Sequence, residues 1–244
     1  MSKKNIKKKF ENIYRIMLKE YGHQGWWPLT SDGKLKPEYH KGDYSYPKTD
    51  KQFLEICQGA ILTQNTSWKN VEKALTCLNE NKLIDIDKIL AHQHNALAEC
   101  IRSSGYHNQK AERLKIMAKF LKATPISMLQ KLDVKTLREI LLKIKGVGPE
   151  TADSIILYAF NKPIFVIDTY TKRIFSRLGL CKKDVKYEEL QELFMSNLST
   201  NNPQKDTELF NEYHALLVEH AKRYCATKPR CEECILRNEC KKSI

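Results

Sequence analysis

The chain has 244 residues, enough for one large domain or for two lobes that share a groove. Its 42 Lys and Arg residues exceed its 29 Asp and Glu residues, giving a formal charge of +13 and a sequence pI of about 9.3, which favours a polyanionic partner. No apolar run approaches the roughly 18 residues of a membrane span, and the charged N-terminus is unlike a signal peptide. The composition therefore argues against a membrane partner. It predicts a soluble cytoplasmic protein, associated with the nucleoid if the source is prokaryotic.

Apolar residues recur at helical spacing along most of the chain, and strand-like alternation is nearly absent. A basic tail in residues 1–9 starts the first helix, which continues through Leu18, and residues 22–50 lack a period and predict a loop. Further helices are predicted at residues 51–63, 68–80, 94–101, 107–122, 133–144, 150–160, 169–178, 187–197 and 206–224. The fold class is therefore predicted to be all-α.

A Gly-Val-Gly turn joins two of these predicted helices. The first is expected to stop at Gly146, and Pro149 suits the first turn of the second. Such a turn presents backbone N–H groups at a helix N-terminus, where they can hold a phosphate oxygen. In isolation the turn would be read as a simple helix end. The candidate DNA-binding residues of the turn are Lys145, Gly146, Val147 and Gly148.

A single carboxylate, Asp168, follows the turn after the apolar run Phe165-Val166-Ile167. A phosphate grip with one acid at fixed reach suggests chemistry on the sugar of a DNA strand. Removing a base from deoxyribose builds positive charge on the sugar, which a nearby carboxylate stabilises while it orients attacking water. Asp168 also precedes a predicted helix, so its alternative role is an N-cap worth about 1 kcal/mol.

The eight cysteines form two sets. One set is scattered on predicted helices or their ends, the usual place for small buried apolar residues: Cys57, Cys77, Cys100 and Cys181. The other set lies near the C-terminus with the spacing C-x5-C-x2-C-x5-C: Cys225, Cys231, Cys234 and Cys240. Four thiolates on a short loop suit a metal centre in a reducing compartment better than disulfides. Because only one C-x2-C pair is present, the spacing favours a [4Fe–4S] cluster, with zinc as the alternative and free thiols favoured least.

Residues 136–178 resemble the signature of the helix-hairpin-helix DNA glycosylase superfamily, whose members include endonuclease III, and the resemblance extends over most of residues 50–240. It implies two helical lobes that flank a DNA-binding groove, with Asp168 at the groove edge as the catalytic residue. It also implies a monomer that binds duplex DNA containing a damaged base. The implied segments are an N-terminal helix and aromatic loop on the cluster-side lobe (1–52), a central lobe (53–165) with the hairpin (136–160), the helices that complete the second lobe (166–224), and a cluster loop (225–240).

The resemblance places the cluster loop after the last long helix. Relatives have six residues between the first two cysteines, whereas this chain has five between Cys225 and Cys231. On the same loop, Lys228 and Arg230 match basic residues that relatives place against DNA phosphate. A structural role is expected for the cluster, because hydrolysis of a glycosidic bond needs no electron transfer.

Bifunctional members of the superfamily carry a nucleophilic lysine two residues after the hairpin turn. That position holds Glu150, which cannot form an imine with the sugar. The nearby Lys143, Lys145 and Lys172 are expected to neutralise phosphates instead. The resemblance therefore implies a monofunctional glycosylase that leaves an abasic site and has no lyase activity on it.

Two loops resemble those that enter the duplex while a nucleotide rotates out of the stack. Residues 61–68 resemble the loop that carries a plugging glutamine, which makes Gln64 or Asn65 the candidate. Residues 103–114 resemble the wedge loop of the opposite strand, with Tyr106 at the intercalating position. Ordinary loop polarity is the alternative for both.

The segment Gln-Gly-Trp-Trp-Pro-Leu at residues 24–29 and the aromatic after Gln-Asn-Thr resemble the 3-methyladenine DNA glycosylase III branch. The resemblance implies a pocket for the flipped base lined by Trp26, Trp27, Pro28 and Trp68, with Glu150 beside it. A cationic alkylpurine gains about 1–2 kcal/mol of cation–π energy between electron-rich rings. The alternative is an aromatic lid packed on the core.

Three functions follow from these patterns. The first is release of 3-methyladenine or a related alkylpurine from duplex DNA. The second is removal of mismatched thymine or uracil, or of an oxidised base, on the same scaffold. The third is a DNA-structure binder without catalysis.

Overall fold

The computed structural model describes residues 3–241. Within that range the chain is helical, and its one isolated bridge joins Leu29 to Glu38 through two backbone hydrogen bonds. The chain divides into two compact units: one contains the residues up to Trp26 and from Lys162 onward, and the other runs from Trp27 to Asn161. The boundary between the two units lies between Trp26 and Trp27.

The unit from Trp27 to Asn161 is built around α2, in which every residue from Gln52 to Leu62 is buried. Thr49 caps this helix by accepting a hydrogen bond from the amide of Gln52. The helices of this unit are α2 (Asp50–Leu62), α3 (Trp68–Glu80), α4 (Ile86–Ala91), α5 (His94–Cys100), α6 (His107–Ala123), α7 (Ile126–Leu129), α8 (Val134–Leu142) and α9 (Pro149–Tyr158). A short 3-10 turn, Arg102–Ser104, precedes α6.

The described residues of the other unit form four helices: α1 (Lys3–Tyr21), α10 (Thr169–Arg177), α11 (Tyr187–Leu198) and α12 (Pro203–Arg223). An aromatic core holds them together. The ring of Phe10 on α1 lies 4.9 Å from the rings of both Phe175 and Phe194, measured between centroids. The hydroxyl of Tyr213 on α12 donates to the carbonyl of Phe10 at 2.9 Å, which fixes the first helix against the last.

The all-α prediction is confirmed, and each predicted helix is present with shifts of a few residues at its ends. Two short helices, α4 and α7, were not predicted. Within the described residues, no helix has the length and apolar character needed to cross a membrane.

One expectation about the scattered cysteines was wrong. Cys57 is buried as expected, but Cys77 and Cys100 form a disulfide between α3 and the end of α5. The two residues lie 23 positions apart, and their helices bring the Cα atoms to 5.7 Å. Helical periodicity gives the face on which each cysteine lies but not which two faces meet.

Candidate active site and nucleic-acid interface

The predicted hairpin turn lies between α8 and α9. The chain reverses at Gly146, whose φ of +89° belongs to the left-handed region that favours glycine. A Cβ at this position would also approach the side chain of Arg113 to 2.5 Å. Val147 is buried and anchors the turn. Both the backbone conformation and the available space therefore require glycine at position 146.

Gly148 has a different environment and provides the N-cap of α9. Its backbone is extended, with φ −96° and ψ −179°, and a Cβ added there would meet no heavy atom within 4 Å. Glycine supplies no capping side chain, and the positive end of the helix dipole attracts an anion at this point. The turn thus combines a rigid bend with open space at a helix N-terminus, the geometry that suits a phosphate oxygen.

Two exposed lysines precede the turn. Lys143 is exposed, and the Nζ of Lys145 lies 2.7 Å from Glu112 Oε1 on α6. Lys145 lowers the pKa of Glu112 through this hydrogen bond. An ion pair so open to solvent is weak, so the ammonium can exchange its carboxylate partner for a phosphate.

The candidate plug residue Gln64 is bound to the hairpin. Its Nε2 donates to the carbonyl of Gly146 and to Thr151 Oγ1, both at 2.9 Å, and its Oε1 accepts from Nη1 of Arg113. Asn65, by contrast, is exposed and has a φ of +54°. The two candidates therefore differ, because Gln64 must release three hydrogen bonds before it can enter a duplex.

The candidate wedge residue Tyr106 projects from the surface with 70% of its area exposed. It is the N-cap residue of α6 and adopts left-handed backbone angles, φ 47° and ψ 35°. An exposed aromatic ring in this conformation has the reach expected of an intercalating side chain, a role that stays a prediction.

Three of the four aromatic-pocket candidates lie in the unit from Trp27 to Asn161. Trp27 is only 6% exposed, because its indole packs against the rings of Trp68 and Tyr158 and lies 3.1 Å from the point that a Cβ at Gly59 would occupy. The centroid distances to those rings are 5.5 and 5.2 Å. Pro28 is also buried, whereas Trp68 is half-buried. Trp27 thus packs against Trp68 in an edge-to-face contact.

A buried carboxyl group holds the segment that follows Trp27. Glu55 on α2 accepts hydrogen bonds from the Thr30 amide at 3.2 Å and the Thr30 hydroxyl at 2.6 Å. Asn79 donates to the same hydroxyl at 3.0 Å. Burial raises the pKa of Glu55, and the hydrogen bonds from Thr30 oppose that shift. Nothing in the sequence pattern had marked Glu55 as the anchor of the aromatic segment.

Trp26 lies in the other unit and is half-buried. The preceding residues are tied to Glu212 on α12, which accepts from the Gln24 amide at 2.8 Å and pairs with His23 at 3.3 Å. Lys222, on the same helix, places its ammonium 5.8 Å from the Trp26 ring centroid. The last long helix therefore positions this indole.

Asp168 is the N-cap of α10 and is 9% exposed. Its Oδ1 accepts a hydrogen bond from the amide of Thr171 at 2.6 Å, so the cap role is present. Its Oδ2 lies 3.7 Å from Nε2 of His214 on α12. Burial lowers the pKa of His214, so the imidazole is neutral at pH 7, while Asp168 opposes the shift. One carboxylate oxygen is therefore fixed by the helix, and the other lies beside a neutral histidine.

No lysine replaces Glu150 at the lyase position. Glu150 is exposed in the first turn of α9, where its charge suits the helix dipole. Lys110 in the same unit has the low pKa that a Schiff-base lysine needs, lowered to about 8 mainly by burial. Its ammonium is sealed between two backbone carbonyls, of Leu62 and Ser104, and is 1% exposed. This amine cannot reach a sugar.

All four C-terminal cysteines line one apolar cavity, together with Ile174, Leu178 and Leu236. The pKa of Cys234 is raised, chiefly by burial and further by the three neighbouring thiols. Within residues 3–241, no three His, Cys, Asp or Glu side chains gather closely enough to hold a single metal ion. Four thiols on one cavity are a donor set that would suit a multinuclear centre with thiolate ligands.

Two arginines of α10 bind the cysteine loop. Arg177 donates to Cys225 Sγ at 3.3 Å and to the carbonyls of Ala226 and Thr227, at 2.7 and 3.0 Å. Arg173 donates to the carbonyl of Cys225 at 2.8 Å. The helix that begins at Asp168 therefore ends on the loop.

The two basic residues between Cys225 and Cys231 differ in how firmly their side chains are held. Lys228 is exposed. The guanidinium of Arg230 donates to the carbonyl of Arg223 at the end of α12 and lies 5.8 Å from the Tyr224 ring. Lys228 can therefore reach a phosphate more easily than Arg230.

Comparison with known proteins agrees with this arrangement. Residues 58–200 match the family model of the HhH-GPD superfamily base excision DNA repair proteins. A protein of Methanocaldococcus jannaschii that carries the name of a DNA repair glycosylase is 44% identical over 95% of this chain and 97% of its own. Endonuclease III of Sulfolobus acidocaldarius is 31% identical over 91% of this chain and 96% of its own.

Two solved structures show the same fold. The H. pylori 3-methyladenine DNA glycosylase bound to 1,N6-ethenoadenine has a TM-score of 0.67 and 28% identity, and the match covers 91% of this chain and 98% of that one. A non-covalent endonuclease III–DNA complex has a TM-score of 0.73 and 20% identity, with 99% and 96% covered. The family and the fold are thereby established. The chain belongs to the helix-hairpin-helix superfamily of base excision DNA repair glycosylases.

Proposed function

We propose that this chain is a monofunctional DNA glycosylase that hydrolyses the N-glycosidic bond of 3-methyladenine or a related alkylpurine and leaves an abasic site. The observation that carries the proposal is the placement of Asp168. Its carboxylate is held rigidly by the cap to Thr171, and its second oxygen is not used by that cap. A fixed carboxylate of this kind suits the stabilisation of positive charge on deoxyribose.

The chemistry assigned to Asp168 is electrostatic. As the bond between sugar and base lengthens, charge develops on the sugar, and a preorganised carboxylate stabilises it without reorganising. The same group orients water and accepts its proton as the new C–O bond forms. An alkylated purine leaves as a neutral base, so no strong acid is needed to protonate it.

The aromatic residues support an alkylpurine as the substrate. Trp26 and Trp68 are each half-buried, so part of each indole is accessible from solvent. A cationic base gains more from such rings than a normal base does. The likeness to the H. pylori enzyme, which is 28% identical and holds an ethenoadenine, favours this substrate over uracil or thymine.

The lack of lyase activity is proposed from Glu150. A carboxylate cannot form the imine through which a strand is cleaved by β-elimination. Incubating the protein with substrate and borohydride should therefore trap no covalent adduct. A matched variant, Glu150→Lys, supplies an amine at this position, and the capture of an adduct by that variant alone would support the assignment.

We also propose that the four cysteines hold a [4Fe–4S] cluster, which would tie the C-terminal loop together as a structural crosslink. The apolar cavity bordered by four thiols carries this proposal. Anaerobically purified protein should contain about four iron and four sulfide ions per chain. Stoichiometric zinc without sulfide would contradict it.

A lesion panel tests the function. Duplexes that contain 3-methyladenine, uracil, a G·T mismatch or 8-oxoguanine are incubated with the protein, and abasic sites are then cleaved with alkali. Release of the alkylpurine above all others is the expected result. Release of uracil or thymine but not 3-methyladenine would transfer the function to the second candidate, and release of no base would favour a DNA-structure binder.

A further inference from the structure

A single buried ammonium lies beneath both loops that are predicted to enter the duplex. Lys110 donates from Nζ to the carbonyl of Leu62 at 2.8 Å and to the carbonyl of Ser104 at 2.7 Å. Leu62 ends α2, three positions before Asn65, and Ser104 ends the 3-10 turn, two positions before Tyr106. One side chain therefore fixes the starting points of two loops that are distant in the sequence.

Both loops then enter the left-handed region at a residue other than glycine. Asn65 has a φ of +54°, and Tyr106 has a φ of +47°. This conformation is tolerable for asparagine and unfavourable for tyrosine. Such residues persist only where their surroundings over-determine the backbone. Lys110 contributes twice at Tyr106, because its own amide also donates to the Tyr106 carbonyl at 2.9 Å.

The charge of Lys110 is costly where it lies. The residue is 1% exposed, and burial lowers the pKa of its ammonium to about 8, with a smaller contribution from Arg113. A buried charge without an acidic partner destabilises a fold unless hydrogen bonds offset it. An apolar side chain of similar length would remove the charge but would leave the carbonyls of Leu62 and Ser104 without this donor. The amine at this position is therefore tied to those two carbonyls, and so to the two loops that follow them.

We propose that Lys110 is a positioning residue for base extrusion. Its ammonium holds both loops, so that Asn65 and Tyr106 are placed to enter the duplex together as the nucleotide rotates out. The proposal rests on the proposed function only in assuming that this protein extrudes a base. It does not depend on which base is released. Lys110 touches no reacting atom and acts through the two loops.

The helix supplies a matched control. Lys115 on α6 also donates from Nζ to two backbone carbonyls, those of Leu90 and His92, at the end of α4. Lys115→Met therefore removes the same kind of contact from the same helix without changing a contact to either loop that is predicted to enter the duplex. A general loss of helix stability should affect Lys110→Met and Lys115→Met alike, whereas a role in extrusion should affect only the first.

The experiment compares two binding constants for each variant: the Kd for an intact duplex and the Kd for a duplex with a tetrahydrofuran abasic analogue, which is already partly unstacked. Wild-type protein should prefer the abasic duplex. In Lys110→Met that preference should fall at least about tenfold, equal to ~1.4 kcal/mol. In Lys115→Met it should stay within about twofold of wild type, a difference of less than ~0.5 kcal/mol.

A second readout separates positioning from structure. Single-turnover release of the base by Lys110→Met should be slow in a duplex and should recover towards the wild-type rate when the lesion lies in an unpaired bubble. An equal fall in preference for both methionine variants, no fall in Lys110→Met, or no recovery in the bubble would each overturn the proposal. Should Lys110→Met fail to fold, Lys110→Gln is neutral and shorter, must lose at least one carbonyl, and carries the same expectation.

The proposal and the proposed function fail in different ways. If wild-type protein releases no base but prefers the abasic duplex, the function is wrong and Lys110 is still tested by binding. If wild-type protein releases an alkylpurine and Lys110→Met keeps the full abasic preference, the function stands and the role of Lys110 is wrong.

Discussion

A methyl group added at Gly148 separates the stability of the hairpin from its contact with DNA. The backbone there is extended, and a Cβ would project into open space. Alanine is a poorer N-cap than glycine by about 0.5 kcal/mol. The smaller conformational entropy of the unfolded variant offsets this by about 0.4–1 kcal/mol. The free energy of unfolding of Gly148→Ala should therefore stay close to that of the wild type.

Binding should respond differently. The methyl group would occupy the space through which a phosphate oxygen reaches the first-turn amides of α9. Losing one hydrogen bond to a charged acceptor costs about 1.5–3 kcal/mol, which corresponds to a rise in Kd of roughly 10-fold to 150-fold. Fluorescence anisotropy with an intact duplex at fixed salt measures the change, and thermal denaturation of the same preparation measures stability.

Gly148→Ser makes the test sharper, because a serine hydroxyl caps helices well and should raise the melting temperature slightly. It should still weaken DNA binding, so stability and affinity would move in opposite directions. Gly146→Ala provides the contrast, since its φ of +89° and the close approach of Arg113 should destabilise the fold. Wild-type DNA affinity in both position 148 variants would refute the phosphate site at this turn.

Three further predictions concern the site. Asp168→Asn keeps an N-cap side chain, so it should retain DNA affinity and melting temperature but lose at least about 100-fold in single-turnover base release; unchanged release would rule out Asp168. Trp68→Ala should reduce excision of alkylpurine by more than it reduces duplex affinity, as should Trp26→Ala, whereas equal losses in the two measurements would indicate a structural lid. Burial raises the pKa of Glu55, so the folded protein holds the proton of this carboxyl group more tightly than the unfolded chain does. The stability that this proton contributes is lost as the pH rises through the pKa of the folded state. Relative to Glu55→Gln, the unfolding free energy of wild type in denaturant titrations should therefore fall as the pH rises above the ordinary range of a glutamate, and parallel pH profiles would contradict this.

The longer helices were predictable because each repeats its apolar residues over several turns. The two that were missed, α4 with six residues and α7 with four, are shorter than the window in which a 3.6-residue period can be recognised. The hairpin was predictable for a different reason. Gly146 and Pro149 are local signals, and the conformations they impose depend little on the rest of the chain.

Contacts between distant segments were not predictable in this way. Gln64 is a candidate plug from its motif, yet in the structure it bonds to Gly146 and Thr151, more than 80 positions away. No local sequence pattern predicts a contact between residues so far apart in the chain. The same holds for Cys77, whose partner lies on another helix 23 residues later.

The residues that the sequence analysis overlooked nevertheless share a signal that the sequence contains. Lys110 is the first member of a stripe at helical spacing whose other members are core residues: Leu114, Met117 and Leu121. His214 holds the equivalent position between Phe210 and Leu217 on α12, and all three are buried.

A polar side chain on a buried face must find a hydrogen-bonding or charged partner, because an unsatisfied one costs several kcal/mol (on the order of 2–7). Periodicity can therefore identify such a residue as constrained, although not its partner. The partners of Lys110 are the carbonyls of Leu62 and Ser104, from which the two duplex-entering loops begin. The partner of His214 is the carboxylate of Asp168. A polar residue within an apolar stripe thus indicates where a fold holds a functional group in place.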